Sequence, residues 1–107
     1  MIKPSIGRVM WYRPGEYLGD MVQHDRSQPM MAHVCYVWGD HMVNLMVIDH
    51  DANQHKRTSV PIIQEGSPWN IGPSPYAEWM PFQKGQAAKT EAAELGAAAR
   101  AAGPSSY

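Results

Sequence analysis

Residues 31–49 read MAHVCYVWGDHMVNLMVID, and this stretch decides the fold. Two runs of alternating residues flank the turn residues Gly39-Asp40. In the first, over 31–38, Ala32, Val34, Tyr36 and Trp38 share one face, with His33, Cys35 and Val37 on the other. In the second, over 42–49, Val43, Leu45 and Val47 share a face and Asn44 lies opposite. Period-two patterning in β-branched and aromatic residues specifies strands with one buried side. A tight Gly-Asp connection between two such runs predicts a hairpin.

Working outward, three further runs read as strands: 6–12 (IGRVMWY), 58–63 (TSVPII) and 76–82 (YAEWMPF). The first alternates Gly7, Val9 and Trp11 against Arg8, Met10 and Tyr12. Pro61 cannot donate a ladder hydrogen bond, so the fourth run lies at an edge, a bulge or a strand end. In the last run Ala77 and Trp79 share a face and Pro81 ends it. Polar or Pro/Gly-rich segments at 13–29, 49–57 and 64–75 separate these runs as loops. Five short, mostly neighbouring strands predict a small SH3-like or OB-like barrel or bent sheet, occupying residues 1–83.

From residue 84 the chain becomes alanine-rich, and Gly103-Pro104 stops the run. Residues 84–107 are therefore expected to be a helical tail. Ala88, Ala92, Leu95, Ala99 and Ala102 recur at spacings of four and three, which puts them on one helix face. An isolated helix of this length is marginal in water. Gly96 costs it about 1 kcal/mol relative to alanine. The stripe is read as a face that orders by docking on a partner.

Composition narrows the function classes. The chain has 107 residues, enough for one domain, and nine Lys+Arg balance ten Asp+Glu. A nucleic-acid binder needs a basic excess to neutralise phosphates, and that excess is missing. No apolar run approaches the ~18 residues of a membrane span. The opening MIKPSIGR has no signal-peptide apolar region, so synthesis and residence in a cytosol are expected. The single cysteine, Cys35, forms no internal disulfide and is expected to be a small buried hydrophobe in HVCYV.

The best metal candidate is Asp49-His50-Asp51-Ala52-Asn53-Gln54-His55. Asp49, Asp51 and Asn53 match the first three ligand positions of an EF-hand loop. The sixth position, which needs glycine, holds Gln54, and the twelfth, which needs glutamate, holds Val60. His24, His33 and His41 have no zinc-type spacing with His50 and His55. The loop is read as a solvated polar connection, and no metal or cofactor is expected. No serine or cysteine sits in a nucleophile motif and no carboxylate pair stands out, so no catalytic residue is assigned. Trp11, Trp38 and Trp79 lie in strands and are read as core. Trp69, in the Pro/Gly-rich loop, and Tyr17, Met30 and Met31, in or beside the long first loop, are the candidate partner-binding residues, together with Ala88, Ala92, Leu95 and Ala99 of the tail.

The stretches KPSIGRVMWY, MVNLMVID, RTSVPIIQEG and AEWMPFQKGQAAK, taken in order, resemble a group of short proteins of tailed bacteriophages. The group's pattern of an early IGR(I/V)V.Y, a central VNL.V.D, an SVP and a late WMP.Q falls here at Ile6–Tyr12, Val43–Asp49, Ser59–Pro61 and Trp79–Gln83. The resemblance covers about residues 3–89 and brings no catalytic residues. The 49–57 loop departs from the group's D..G turn because it lacks glycine. The group is largely uncharacterised and brings no established activity; the balanced charge, long loops, Trp69 and a tail that needs a partner are read together as a virion structural protein, a capsid decoration or head/tail interface component assembled in the host cytoplasm. Its partners would be other virion proteins and copies of itself, without membrane or nucleic acid. The alternatives are an intracellular phage protein that redirects a host protein and a single-stranded nucleic-acid binder.

Overall fold

The computed structural model describes residues 1–67 and 74–100, with the side chains of 91–100 excepted. Five strands, β1 (Val9–Arg13), β2 (Met30–Gly39), β3 (Met42–Ile48), β4 (Gln54–Pro61) and β5 (Tyr76–Glu78), form one sheet in the order β4-β3-β2-β1-β5. All its ladders are antiparallel, and the sheet curls into a half-barrel. Near the end of β4 the chain meets β5 through a parallel bridge between Ile62 and Ala77, with Ile63 N donating to Ala77 O at 2.9 Å. Four strands in an unbroken meander with the fifth returning beside the first is the SH3-like path, not the Greek-key path of an OB-fold.

The buried face follows the alternation. Met10 and Tyr12 of β1, Met30, Ala32 and Val34 of β2, and Val43, Leu45 and Val47 of β3 point inward. Val60, Ile62, Ala77 and Trp79 close the core on the other side. The β2–β3 hairpin forms as expected, with Asp40-His41 as its loop.

The expected faces of β2 hold only as far as Val34. Val34 pairs with Leu45 but Tyr36 pairs with Asn44, so Cys35 is an extra residue in a β-bulge. A bulge shifts every later side chain to the opposite face. Val37 therefore packs against the core, while Tyr36 and Trp38 turn outward, 49% and 60% exposed. Cys35 itself is exposed, against the buried position expected from its sequence. Trp11 also faces outward, because Met10 and Tyr12 take the inner positions of β1. Of the three strand tryptophans read as core, only Trp79 is buried.

Strand β4 begins at Gln54, well before the expected residue 58, so the β3–β4 connection shrinks to Asp49–Asn53. Ala52 adopts φ 67°, in the left-handed region that normally needs glycine. It occupies the position of the glycine in the D..G pattern. The hairpin forms without that glycine because the Asp49 carboxylate binds the turn amides (below).

The last expected strand, 76–82, is shorter than predicted. β5 ends at Glu78 and a helix, α1 (Pro81–Arg100), begins three residues before residue 84. Pro81 takes the first helical position, where its missing N–H costs nothing. Gln83 folds back so that its Oε1 accepts from Met80 N at 2.8 Å, the reciprocal arm of a capping box. Its Nε2 donates to Val9 O at 2.7 Å, pinning the helix start to β1.

Gln64 gathers the open end of the half-barrel. Its Oε1 accepts from Ile2 N at 3.1 Å and from Trp79 Nε1 at 3.0 Å. Its Nε2 donates to Ile2 O at 3.0 Å and Asp40 O at 2.8 Å. One amide thus ties the N-terminal segment, the β2–β3 turn and the core tryptophan. Removing it leaves partly buried groups unsatisfied. Gln64→Ala is expected to lower unfolding stability by about 2–3 kcal/mol in urea denaturation. Ala52→Gly is expected to raise it by about 0.5–1 kcal/mol, by relieving the left-handed backbone at that position.

Candidate interaction surface

Outward residues of neighbouring strands come together through the register. Trp11 pairs with Met31, and Met31 with Ile48. In the next row Val9 pairs with His33, and His33 with Met46. Directly paired residues share a face, so Val9, Trp11, Met31, Met46 and Ile48 form an apolar tract on the outside of the half-barrel. Met31 is 45% exposed and the other four are half-buried against one another. Arg13 frames one side. Its guanidinium lies 5.7 Å from the centre of the Trp11 ring, and its Nε binds Glu78 Oε2 at 2.5 Å. Lys56, paired with Met46, frames the other.

The bulge adds a second group further along the same face. The Tyr36 and Trp38 rings meet edge-to-face at 4.9 Å. Trp38 Nε1 donates to Asn44 Oδ1 at 2.9 Å, and the same oxygen accepts from Ser59 N at 2.8 Å. Ser59 sits at φ 53° where β4 shifts register against β3, which turns its amide toward Asn44. The indole is thus fixed by its own sheet, and a fixed aromatic loses little freedom on contact. Apolar tracts on a sheet's outer face, continued by anchored aromatics, mark surfaces that meet other macromolecules.

The candidate binding residues divide. Met31 belongs to this surface. Tyr17 is 61% exposed on the β1–β2 loop, away from the ladder. Met30 is 1% exposed and part of the core, so it is not available to a partner. It precedes Met31 by one residue and so takes the opposite face of β2. Trp69 lies outside the described residues. Ala88 is exposed and lines a cleft of about 350 Å³ between the first turns of α1 and Met1, Ile2, Gln64 and Trp79. Ala92, Leu95 and Ala99 fall in α1, where side chains are not described. Sequence reasoning missed Trp11, Tyr36, Trp38, Met46 and Ile48. Alternation alone reads Trp11 and Trp38 as core and places Tyr36 on one face with Ala32, Val34 and Trp38.

The loop at 49–53 is organised around Asp49, which is 4% exposed. Its Oδ1 accepts from Asp51 N at 3.0 Å and Asn53 N at 2.9 Å. Its Oδ2 accepts from Val22 N at 3.0 Å and from His55 Nε2 at 2.8 Å. Burial works against the charge, but the hydrogen bonds from Val22, His55 and Asn53 outweigh it and hold the carboxyl well below the usual carboxylate range. The residues that opened the EF-hand-like stretch therefore point their bonds at one another. Among the described residues no group of three or more His, Cys, Asp or Glu is placed to hold a metal ion. No described helix is long and apolar enough to cross a membrane.

His55 and Arg57 of β4 pair with Val47 and Leu45, so they face inward. The Arg57 guanidinium lies close to the Tyr12 hydroxyl. Burial raises the Tyr12 phenol above its ordinary range, and the nearby guanidinium opposes that rise. Inward charges at an edge strand discourage pairing with a further strand, so the outer face, more than the β4 edge, is the surface open to a partner.

Because the Asp49 carboxyl is depressed in the fold, its contribution is complete above about pH 4 and is lost as pH falls through its folded value. Asp49→Asn is expected to lower the urea midpoint at neutral pH. It is also expected to flatten the decline in stability below about pH 4, read from urea midpoints measured across acid pH. Comparison with family models, curated proteins and solved structures finds no match to this chain.

Proposed function

We propose that this chain is a bacteriophage virion structural protein, a capsid decoration or head/tail interface component acting through protein–protein contacts. The observation that carries the reading is the apolar tract Val9–Trp11–Met31–Met46–Ile48 on the outer face of the sheet, with Met31 exposed and the others half-buried. Repetitive assemblies need interfaces more than active sites, and one face per subunit is multiplied by symmetry. The helix adds to this. α1 is fastened at its first turn by Gln83. At about 1.5 Å per residue it reaches roughly 30 Å, a length comparable to the diameter of a small domain. The motif series Ile6–Tyr12, Val43–Asp49, Ser59–Pro61 and Trp79–Gln83 supplies the bacteriophage context.

Mass spectrometry of purified virions is expected to find the protein at structural stoichiometry; its absence there would remove the reading. Met31→Lys combined with Trp38→Ser is expected to abolish incorporation into particles. Met31 is outward, so its change should shift thermal stability of the purified chain by only about 0.5 kcal/mol, and loss of the Trp38 bond to Asn44 and its contact with Tyr36 by about 1–2 kcal/mol, short of unfolding it.

A further inference from the structure

The β1–β2 loop, residues 14–29, closes the half-barrel on a side that has no second layer. It buries Met21 in the core and packs Leu18 against it. The far half of the loop is held by the β3–β4 turn. His50 N donates to Val22 O at 3.0 Å. The His50 ring then spans the loop: Nδ1 accepts from His24 N at 2.9 Å, and Nε2 lies 3.2 Å from Pro29 O. A carbonyl only accepts, so Nε2 must carry the ring proton. Nδ1 must be bare to accept the amide. The arrangement is satisfied only by a neutral imidazole in one tautomer.

We propose that His50 is a proton-sensitive latch that holds the β1–β2 loop over the core and releases it on mild acidification. A second proton on Nδ1 replaces an acceptor by a donor facing the His24 N–H, and the two cannot share one site. The closed geometry has room for only one ring proton, the one shared with Pro29 O. An imidazole changes charge within the range in which most of the fold's other groups do not.

The surrounding charges have distinct roles. The His24 ring stacks 6.2 Å from His50, and its Nε2 meets Asp51 Oδ1 at 2.5 Å. Both partners are well exposed, so this contact adds little to closure. Asp25, exposed on the loop side, is occupied by hydrogen bonds from Ser27 and Gln28. His55 lies between Asp49 at 2.8 Å and Asp20 at 3.6 Å, with Arg57 within 4.0 Å of Asp20. This group bonds through the Nε2–H of His55, which is present in either charge state, and it anchors the near half of the loop. The predicted motion therefore centres on residues 22–29, with Met21 at its margin.

The test uses the full chain and amide hydrogen exchange followed by NMR. Between about pH 7.5 and about pH 5.5, protection of the His24 amide is expected to fall about tenfold relative to Val47 in β3, after correction for intrinsic exchange. His50→Asn keeps an acceptor for His24 N and cannot titrate, so it should abolish the difference; an equal loss in this variant overturns the proposal. His24→Ala keeps the backbone donor and should retain the response. If the response disappears there, His24 is the sensor and the proposal fails. The wild-type ring gives an independent reading: if the His50 nitrogen resonances titrate while the His24 amide does not move with them, the latch does not exist.

Discussion

A single curled sheet has one face to bury and no second layer to bury it against. Everything else in this molecule depends on how that open side is closed. Three segments without regular structure do it: the N-terminal residues around Ile2, the β1–β2 loop with Met21, and the stretch after β5 with Trp79. Irregular backbone carries unpaired N–H and C=O groups, so each segment needs polar anchors as well as an apolar plug. Gln64 and Asp49 supply them at two places around the sheet. Each spends a whole side-chain head group on backbone or ring donors and acceptors of distant segments.

This division of labour explains why few polar residues are free for chemistry inside the fold. Every buried side-chain nitrogen and oxygen among the described residues has a partner. The acidic and histidine side chains that cluster around Asp49 are consumed by the turn, the loop and β4. The apolar residues that the core does not take up lie on the outer face, beside Arg13 and Asn44.

The sequence made the strands legible where alternation was apolar against polar. Val43, Leu45 and Val47 pointed inward as their spacing required, and the Gly39-Asp40 signal placed the first hairpin. It misled where the physics was not in the alternation. The start of β4 was hidden because its inward residues are His55 and Arg57, which look like loop. His55 is satisfied by Asp49, and Arg57 lies near Tyr12 of β1, far away in sequence. The β5–α1 boundary was hidden because WMPF reads as strand, although Pro81 followed by Gln83 is a helix-start pattern. The outer face was missed for a related reason. With apolar residues on both sides of β1 and β2, alternation alone cannot say which set is buried, and a bulge resets the count without changing the composition.

That bulge has a consequence for how such a surface can arise. Cys35 contributes little of its own beyond occupying a place in the chain. Its presence sends Tyr36 and Trp38 outward and Val37 inward, so a single inserted codon, and no change in residue type, separates a barrel with a wider aromatic core from one that displays two rings to its surroundings. A lineage carrying this fold can gain or lose a contact surface by a change of length, with the hydrophobic content of its strands left intact.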